Sequence, residues 1–198
     1  MDKIVRFNGS LIDKDQMFAR FLANCDEAFS YFYTIFMPDL FAYGISLGAD
    51  EEIVKDSIQD IFVNIHFAEK NFHSVEHLKF FLLKSLKNKL YNIYSSKRVR
   101  TAAAITDDVL NFSITTTVLD SIIDHEDRMA IQRKIDYLLS KLTSRQKEGI
   151  YLRYIQELEY SEIAEILGMS PTSARKLISR SLKRLRADQQ LILIQLLY

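Results

Sequence analysis

The sequence predicts an all-α protein built as two small helical domains joined by a linker. Only five Gly and two Pro occur in 198 residues, which leaves few breaks for tightly turned strands. Apolar residues recur at three- and four-residue spacing through most of the chain, as expected for amphipathic helices. This periodicity lapses only around residues 99–125 and returns at Glu126. We therefore expect a helical domain at 1–98, a linker at 99–125 and a second helical domain at 126–198.

Composition narrows the class of protein further. The chain is 48% hydrophobic and 12% aromatic, which is enough to bury a core. No apolar run approaches the roughly 20 residues that a spanning helix needs, so we expect no membrane insertion. The single Cys25 excludes an internal disulfide, and we expect it to be a small buried side chain. With no charged-then-apolar leader at its start, the chain is expected in the cytoplasm.

Three helices are predicted in the first domain, at about residues 15–47, 50–67 and 75–97, from the spacing of their apolar positions. Asp50 follows a Gly-containing turn and precedes two glutamates. Asp is a favoured N-cap, and carboxylates are stabilising in the first turn of a helix. The second helix is therefore expected to begin at Asp50.

Charge is segregated along the chain, although 26 basic and 26 acidic residues cancel overall. Residues 1–73 carry twelve acids and six bases, residues 79–100 carry seven bases and no acid, and residues 141–186 carry ten bases and five acids. Two basic segments separated by a more acidic one predict a polyanion that is bound at two places.

The second basic segment contains the signature of a helix-turn-helix. "YSEIAEILGMS" predicts a short helix at about 161–167 that ends at Gly168, where left-handed geometry is favoured. Ser170 and Pro171 then predict a new helix start. Helical spacing puts one apolar side of that helix toward the core: Ala174, Leu177, Ile178, Leu182 and Leu185. A capped helix after such a turn is the element that enters the major groove.

The opposite side of this helix is basic and rich in hydrogen-bond donors. We expect Lys176 and Arg180 to read base edges, and Thr172, Ser179 and Lys183 to hold phosphates. The full set of predicted duplex-DNA contacts is Thr172, Ser173, Arg175, Lys176, Ser179, Arg180 and Lys183. The alternative is an ordinary solvated face on a surface helix.

The first basic segment differs because aromatic residues interleave with its lysines. Phe80, Phe81 and Tyr91 lie among Lys84 and Lys87, and exposed rings beside cations suit unpaired nucleic acid. Phe80 also stands at helical spacing from Leu83 and Leu90, which is typical of a core residue. Both interpretations stay open, and at least one of Phe80 and Phe81 is expected to be buried.

Both segments together resemble the extracytoplasmic-function group of the bacterial RNA polymerase sigma-70 family. "LTSRQKEGIYLRYIQELEYSEIAEILGMSPTSARKLISRSLKRLR", Leu142–Arg186, is similar to region 4 of that family. "DSIQDIF" at 56–62 resembles its region 2.2, and "FFLLKSLKN" at 80–88, followed by Asn92, resembles its promoter-melting and −10 segment. Phe81 stands where the family frequently has Trp, and Leu158 where it frequently has Gly.

The resemblance implies a transcription initiation factor with three interaction surfaces. Asp56, Gln59 and Asp60 would dock on the clamp helices of the polymerase β′ subunit. The helix from Pro171 would read the −35 element, and an anti-sigma factor is a possible further partner. The −10 element would be bound and melted by Phe80, Phe81, Lys84, Lys87, Asn88, Tyr91 and Asn92. No cofactor, metal or catalysis by the chain itself is expected.

One other class of function stays open from the residues alone. An autonomous helix-turn-helix regulator would use the N-terminal helices for sensing or dimerisation, and would bind duplex DNA without polymerase. An enzyme is not expected, because no Ser/His/Asp, metal or phosphate-loop arrangement is present. His73 and His77 are four residues apart, but a stable metal site needs about three or four ligands.

Overall fold

A computed structural model describes residues 4–7, 10–68, 71–101, 110–113 and 135–195 of the chain. These residues group into two compact units. The first unit contains an N-terminal hairpin and four helices, apart from residues 46–48. The second unit contains those three residues, residues 110–113 and the described chain from residue 135 onward.

The elements of the first unit follow one another with short connections. Strands β1 (Ile4–Phe7) and β2 (Ser10–Asp13) pair antiparallel, with Phe7 opposite Ser10. The helices are α1 (Lys14–Leu22), α2 (Asp26–Ser46), α3 (Glu51–Phe67) and α4 (Val75–Thr101). The predicted helical fold class is confirmed, and the short hairpin is an addition to it.

The prediction of one helix at 15–47 is wrong, because the chain turns between α1 and α2. Asn24 adopts a left-handed conformation with φ of 60°, which Asn tolerates better than most residues. The Asn24 N–H donates to Phe21 O at 3.1 Å and the Cys25 N–H to Arg20 O at 3.0 Å. These bonds satisfy carbonyls of the last turn, so α1 ends there.

Helix α3 begins where the sequence predicts. The Asp50 side chain accepts the N–H groups of Glu52 at 3.0 Å and Ile53 at 3.5 Å. The buried residues of α3 recur at helical spacing: Val54, Ser57, Ile58, Ile61, Phe62 and Ile65. They pack into an aromatic core in which Phe29 lies 5.7 Å from Phe62 between ring centroids. This packing fixes which side of α3 faces solvent.

The second unit is built from α5 (Ser144–Tyr154), α6 (Tyr160–Leu167) and α7 (Pro171–Gln195). Residues 135–140 are also helical. Helix α5 starts with a capping box, in which Thr143 Oγ1 accepts the Gln146 N–H at 3.3 Å and Gln146 Oε1 accepts the Thr143 N–H at 3.0 Å. Helix α7 begins at Pro171, as predicted.

Part of the predicted linker packs within the second unit. Phe112 is buried, its N–H donates to Ser144 Oγ at 2.7 Å, and its ring lies 5.4 Å from that of Tyr151. Hydrophobic burial of a large ring therefore anchors this short segment. The predicted linker start at residue 99 is wrong, because residues 99–101 are the last residues of α4. Residues 102–109 and 114–125 of the predicted linker lie outside the described residues.

No helix within the described ranges combines the length and the apolar character needed to cross a bilayer.

Candidate nucleic-acid interface

The turn between α6 and α7 has the geometry that its sequence predicts. Gly168 is left-handed, with φ of 61° and ψ of 49°. The Met169 N–H donates to Ala164 O at 2.9 Å and the Gly168 N–H to Glu165 O at 3.3 Å. This C-terminal cap ends α6 sharply and frees the chain to start a second helix three residues later.

Two further contacts hold the start of α7 and the end of α6. Ser170 Oγ accepts the Ser173 N–H at 3.2 Å, which satisfies one of the free amides of the first turn. The Arg145 guanidinium on α5 donates to Leu167 O at the end of α6. The turn is therefore tied to the helix that precedes the helix-turn-helix.

The predicted core side of α7 is confirmed. Ala174 and Ile178 are buried, and Leu177, Leu182 and Leu185 are half-buried. Ser181 is buried among them, which the sequence analysis missed. Its hydroxyl donates to Leu177 O at 2.7 Å, so a polar residue is tolerated on the buried side.

Helix α5 approaches α7 closely at Gly149. A Cβ at this position would lie 2.8 Å from Leu177 Cδ2 and 3.5 Å from Ile178 Cγ1. Ala164, on α6, is also buried. Small residues on α5 and α6 thus allow these two helices and α7 to pack around one core.

The opposite side of α7 is open to solvent along about 16 Å of helix. Every predicted duplex-DNA contact is exposed: Thr172, Ser173, Arg175, Lys176, Ser179, Arg180 and Lys183. The face presents four cations and three hydroxyls, which is the chemistry needed to bind phosphates and base edges.

Tyr160, the first residue of α6, joins this face to α5. The Arg153 guanidinium carbon lies 4.8 Å from the Tyr160 ring centroid and that of Arg175 lies 5.0 Å from it. Tyr160 is not among the binding residues that the sequence predicts. Its contacts bring together residues from three helices, so spacing along the chain gave no sign of them.

The loop before α6 makes its left-handed turn at a residue other than glycine. Glu157 adopts the left-handed conformation, with φ of 58°, and Leu158 is buried. The neighbouring Gln156 donates from Nε2 to Tyr151 OH at 3.1 Å. Leu158, which stands where the family frequently has Gly, therefore serves as a core residue while Glu157 provides the turn.

In the first unit, the predicted docking residues Asp56, Gln59 and Asp60 are all exposed on α3. Asp60 is not isolated, because its carboxylate pairs with Lys89 Nζ on α4 at 2.7 Å. A partner that engages Asp60 would therefore compete with, or replace, this ion pair.

The prediction that Phe80 belongs to the DNA-melting surface is wrong, because Phe80 is buried. It is only 8% exposed, so its ring cannot stack on a base in this conformation. Its spacing from Leu83 and Leu90 places it with the core side of α4, and Lys84 Nζ lies 5.5 Å from its ring centroid. The burial of Phe80 confirms the expectation that at least one of Phe80 and Phe81 is buried, whereas Phe81 is 38% exposed.

The other predicted −10 residues lie on the accessible surface of α4. Tyr91, Asn88 and Asn92 are exposed, and Lys84 and Lys87 are half-buried. Asn88 and Asn92 line a polar groove between α3 and α4 that Asp56 and Asp60 line from the other side. The structure thus brings together residues of two predicted sites, from positions 28 or more residues apart in the sequence.

Phe81 borders an adjoining, mostly apolar pocket of about 270 Å³, which shares Ile61, Asn64 and Ser85 with the groove. Its ring lies 5.2 Å from that of Phe72 in the loop before α4. The pocket is also lined by Ile61, Asn64, Ile65, Ala68, Asn71 and Ser85. Amide groups beside two aromatic rings form an environment suited to a planar polar ligand.

Cys25 is half-buried rather than fully buried, which corrects the expectation of a core residue. It lies at the start of α2, where a hydrogen bond from the Ala28 N–H lowers the pKa of its thiol. The Glu27 N–H and the Arg20 guanidinium lower this pKa further, against the opposing effect of desolvation. The Arg20 Nη2 atom lies 3.4 Å from the sulfur.

Comparison of the sequence with known proteins finds one matching family and one similar sigma factor. Residues 132–185 match the family described as "Sigma-70, region 4". The chain is 22% identical over 157 residues to "ECF RNA polymerase sigma factor SigM" of Bacillus subtilis (strain 168), covering 78% of this chain and 91% of the relative.

Two solved structures have a similar fold across most of the chain. CnrH, in complex with the cytosolic domain of CnrY, is 21% identical with a TM-score of 0.54, over 90% of this chain and 97% of CnrH. The sigma factor RpoE of Bartonella quintana, in complex with the anti-sigma factor NepR, is 20% identical with a TM-score of 0.55, over 80% and 94%. Residues 132–185 thus match sigma-70 region 4, and the chain is similar over most of its length to an extracytoplasmic-function sigma factor in sequence and to two solved structures in fold.

Proposed function

We propose that this chain is a transcription initiation factor that binds core RNA polymerase and directs it to promoters. The observation that carries the proposal is the exposed basic face of α7, held by a capped helix-turn-helix within the segment that matches region 4. Similarity to one sigma factor over 78% of the chain favours this role over that of an autonomous regulator, because it includes the N-terminal helices.

Residues 126–198 of the second unit are proposed to bind the −35 element. Helix α7 enters the major groove, with Lys176 and Arg180 at base edges. Thr172, Ser173, Ser179 and Lys183 hold the phosphates on either side. All six side chains are exposed, so the contacts require no change in the fold of the unit.

In vitro transcription with purified core polymerase on a genomic library, with and without this protein, identifies its promoters. On such a promoter, Arg180→Ala should weaken −35-dependent transcription about 5- to 150-fold, because one bidentate base contact contributes about 1–3 kcal/mol. Binding to core polymerase should be unchanged.

Arg186→Ala is the matched control, since it removes the same charge from an exposed position further along α7. It should leave the preference for the −35 sequence intact. Loss of core binding in Arg180→Ala, or equal loss of −35 preference in both variants, would count against the assignment.

The part of the first unit that lies in residues 1–98 is proposed to bind the −10 element as single-stranded DNA. The exposed rings of Phe81 and Tyr91 lie on the same helix as Lys84 and Lys87, which combines stacking with charge. The pocket beside Phe81 and Phe72 is the proposed receptor for one base that leaves the stack.

Permanganate reactivity of unpaired thymines measures promoter melting in this proposal. Phe81→Ala should reduce melting about 5- to 150-fold, the range for one lost base–aromatic stack of about 1–3 kcal/mol. Phe81→Trp keeps a ring and should retain melting. Equal melting by Phe81→Ala and the unmodified protein would refute the role of Phe81.

Helix α3 is proposed to dock on the β′ clamp helices through Asp56, Gln59 and Asp60. Changing Gln59 and Asp60 together to Ala should weaken association with core polymerase, measured as the dissociation constant of the holoenzyme. Lys89→Ala breaks the ion pair with Asp60 but leaves its carboxylate, so it should not weaken association.

Glu52→Ala is a further control, because it removes an exposed carboxylate from the first turn of the same helix. It should also leave association with core polymerase unchanged. Unchanged association after the Gln59 and Asp60 changes would exclude this docking site.

The proposed role places the protein in the cytoplasm and requires no catalysis by the chain itself. Two proteins of similar fold are bound to the cytosolic domain of CnrY and to an anti-sigma factor. An anti-sigma factor is accordingly proposed as a partner of this chain as well.

A further inference from the structure

Tyr160 contacts a cation on each of the two helices that flank α6 in the sequence. Its ring centroid lies 4.8 Å from the guanidinium carbon of Arg153 and 5.0 Å from that of Arg175. Both distances fall within the range of about 6 Å at which a cation is attracted to the face of an aromatic ring. The ring thus connects α5 to the DNA-facing helix through side chains alone.

Arg153 is fixed on the scaffold side of this arrangement. Its Nη1 atom donates to Leu158 O at 2.7 Å and lies 3.5 Å from Glu159 Oε1. Tyr160 is itself positioned at the first residue of α6, where the Glu159 N–H donates to Glu162 Oε2 at 2.8 Å. Arg153 is therefore held by hydrogen bonds to the loop, and the backbone next to Tyr160 is held by the helix cap.

Arg175 is the exposed member of the three and lies on the second turn of α7. A free arginine side chain loses about 2 kcal/mol of rotamer entropy when it is fixed. Stacking on a ring uses the flat face of the guanidinium and leaves its five in-plane N–H donors available. A stacked Arg175 therefore keeps its donors for nucleic acid while losing part of its freedom in advance.

We propose that Tyr160 is a positioning residue for −35 recognition: its ring holds the Arg175 guanidinium in place to donate to the DNA. The proposal rests on the proposed function of α7. It assigns to α6 a role in affinity that does not require Tyr160 to touch DNA.

A double-mutant cycle on the full chain, bound to core polymerase, tests this coupling. The measurement is the dissociation constant for a promoter fragment obtained from the transcription screen, at fixed salt. Tyr160→Leu should weaken binding about two- to fivefold, which is the effect of one exposed cation–π contact. Tyr160→Phe keeps the ring and should bind as the unmodified protein does.

The decisive comparison is Tyr160→Leu in an Arg175→Ala background, where it should cause no further loss. Arg175→Lys supplies a second test that leaves α6 unchanged. Lysine lacks the flat group that stacks, so Arg175→Lys should lose about as much affinity as Tyr160→Leu, and combining the two should add nothing.

The same loss from Tyr160→Leu with and without Arg175 would overturn the proposal, since Tyr160 would then act on binding by another route. The proposal would also be overturned if Tyr160→Leu bound DNA with full affinity, or if Tyr160→Phe lost as much affinity as Tyr160→Leu. Arg180→Ala in the same assay separates this failure from that of the proposed function. If Arg180→Ala and Arg175→Ala both bind normally, the −35 assignment itself fails.

Discussion

Gly44→Ala perturbs the contact that positions the docking helix α3. Gly44 lies in α2, and a Cβ built on it would meet Val54 of α3 at 2.6 Å from Cγ1, 2.8 Å from Cγ2 and 3.3 Å from Cβ. Ordinary carbon–carbon contact is about 3.5–4.0 Å. Val54 is fully buried and has one strongly preferred rotamer in a helix, so it cannot move aside.

The expected free-energy change follows from two opposing effects. Overpacking a core costs about 1–3 kcal/mol, whereas replacing Gly by Ala inside a helix contributes about 1 kcal/mol. Gly44→Ala should therefore destabilise the first unit by about 1 kcal/mol. Val54→Ala alone should cost about 2 kcal/mol, from two lost methyl groups and a small cavity.

Combining the two substitutions removes the clash and keeps the helix-propensity gain. The free energy of unfolding of the double variant should then be about 1 kcal/mol lower than that of the unmodified protein. Additive effects would lower it by about 3 kcal/mol, so the two positions should be coupled by about 2 kcal/mol. Hydrogen exchange measured by mass spectrometry on peptides of α2 and α3 reports this unit separately from the other. Strictly additive effects would show that the chain relaxes at this contact and would refute the reasoning.

Three further predictions concern single residues. Phe112→Ala should destabilise the second unit by about 3 kcal/mol because it removes a buried ring. This loss should appear as faster hydrogen exchange in α5, and unchanged exchange would mean that residues 110–113 are not anchored. Glu157→Gly should stabilise that unit by about 1 kcal/mol, since a left-handed non-glycine residue costs about 1–2 kcal/mol, and a lower thermal midpoint would contradict this. Because the pKa of Cys25 is lowered, its thiolate persists to lower pH, and iodoacetamide should react with the folded protein at lower pH than with the denatured one. Arg20→Ala should shift the pH dependence of this reaction rate upward. Identical pH dependences for the folded and denatured protein would disprove the effect.

Local signals made the second unit predictable from the sequence. Gly168, Ser170 and Pro171 each specify backbone geometry within a few residues, and the structure confirms the turn and the helix start. The core side of α7 followed from helical spacing. The exposed face then followed as the remainder of the same helix.

Features that depend on distant or competing contacts were missed. The break at Asn24 was hidden because apolar residues continue through it at helical spacing. The N-terminal hairpin had a signal in Asn8-Gly9, a dipeptide typical of two-residue hairpin turns, but its strands are only four residues long. The Asp60–Lys89 pair and the contacts of Tyr160 join residues on different helices, so no single segment predicts them.

Directed cleavage of promoter DNA tests the placement of α7 in the major groove. The chain has one cysteine, so Cys25→Ser followed by Ser179→Cys creates a single attachment point for an iron chelate on the exposed face. In the complete holoenzyme, hydroxyl radicals from this position should cut both strands within about one helical turn of the −35 element. Cuts confined to melted DNA, or no cuts in the upstream duplex while transcription continues, would contradict the proposed role of α7.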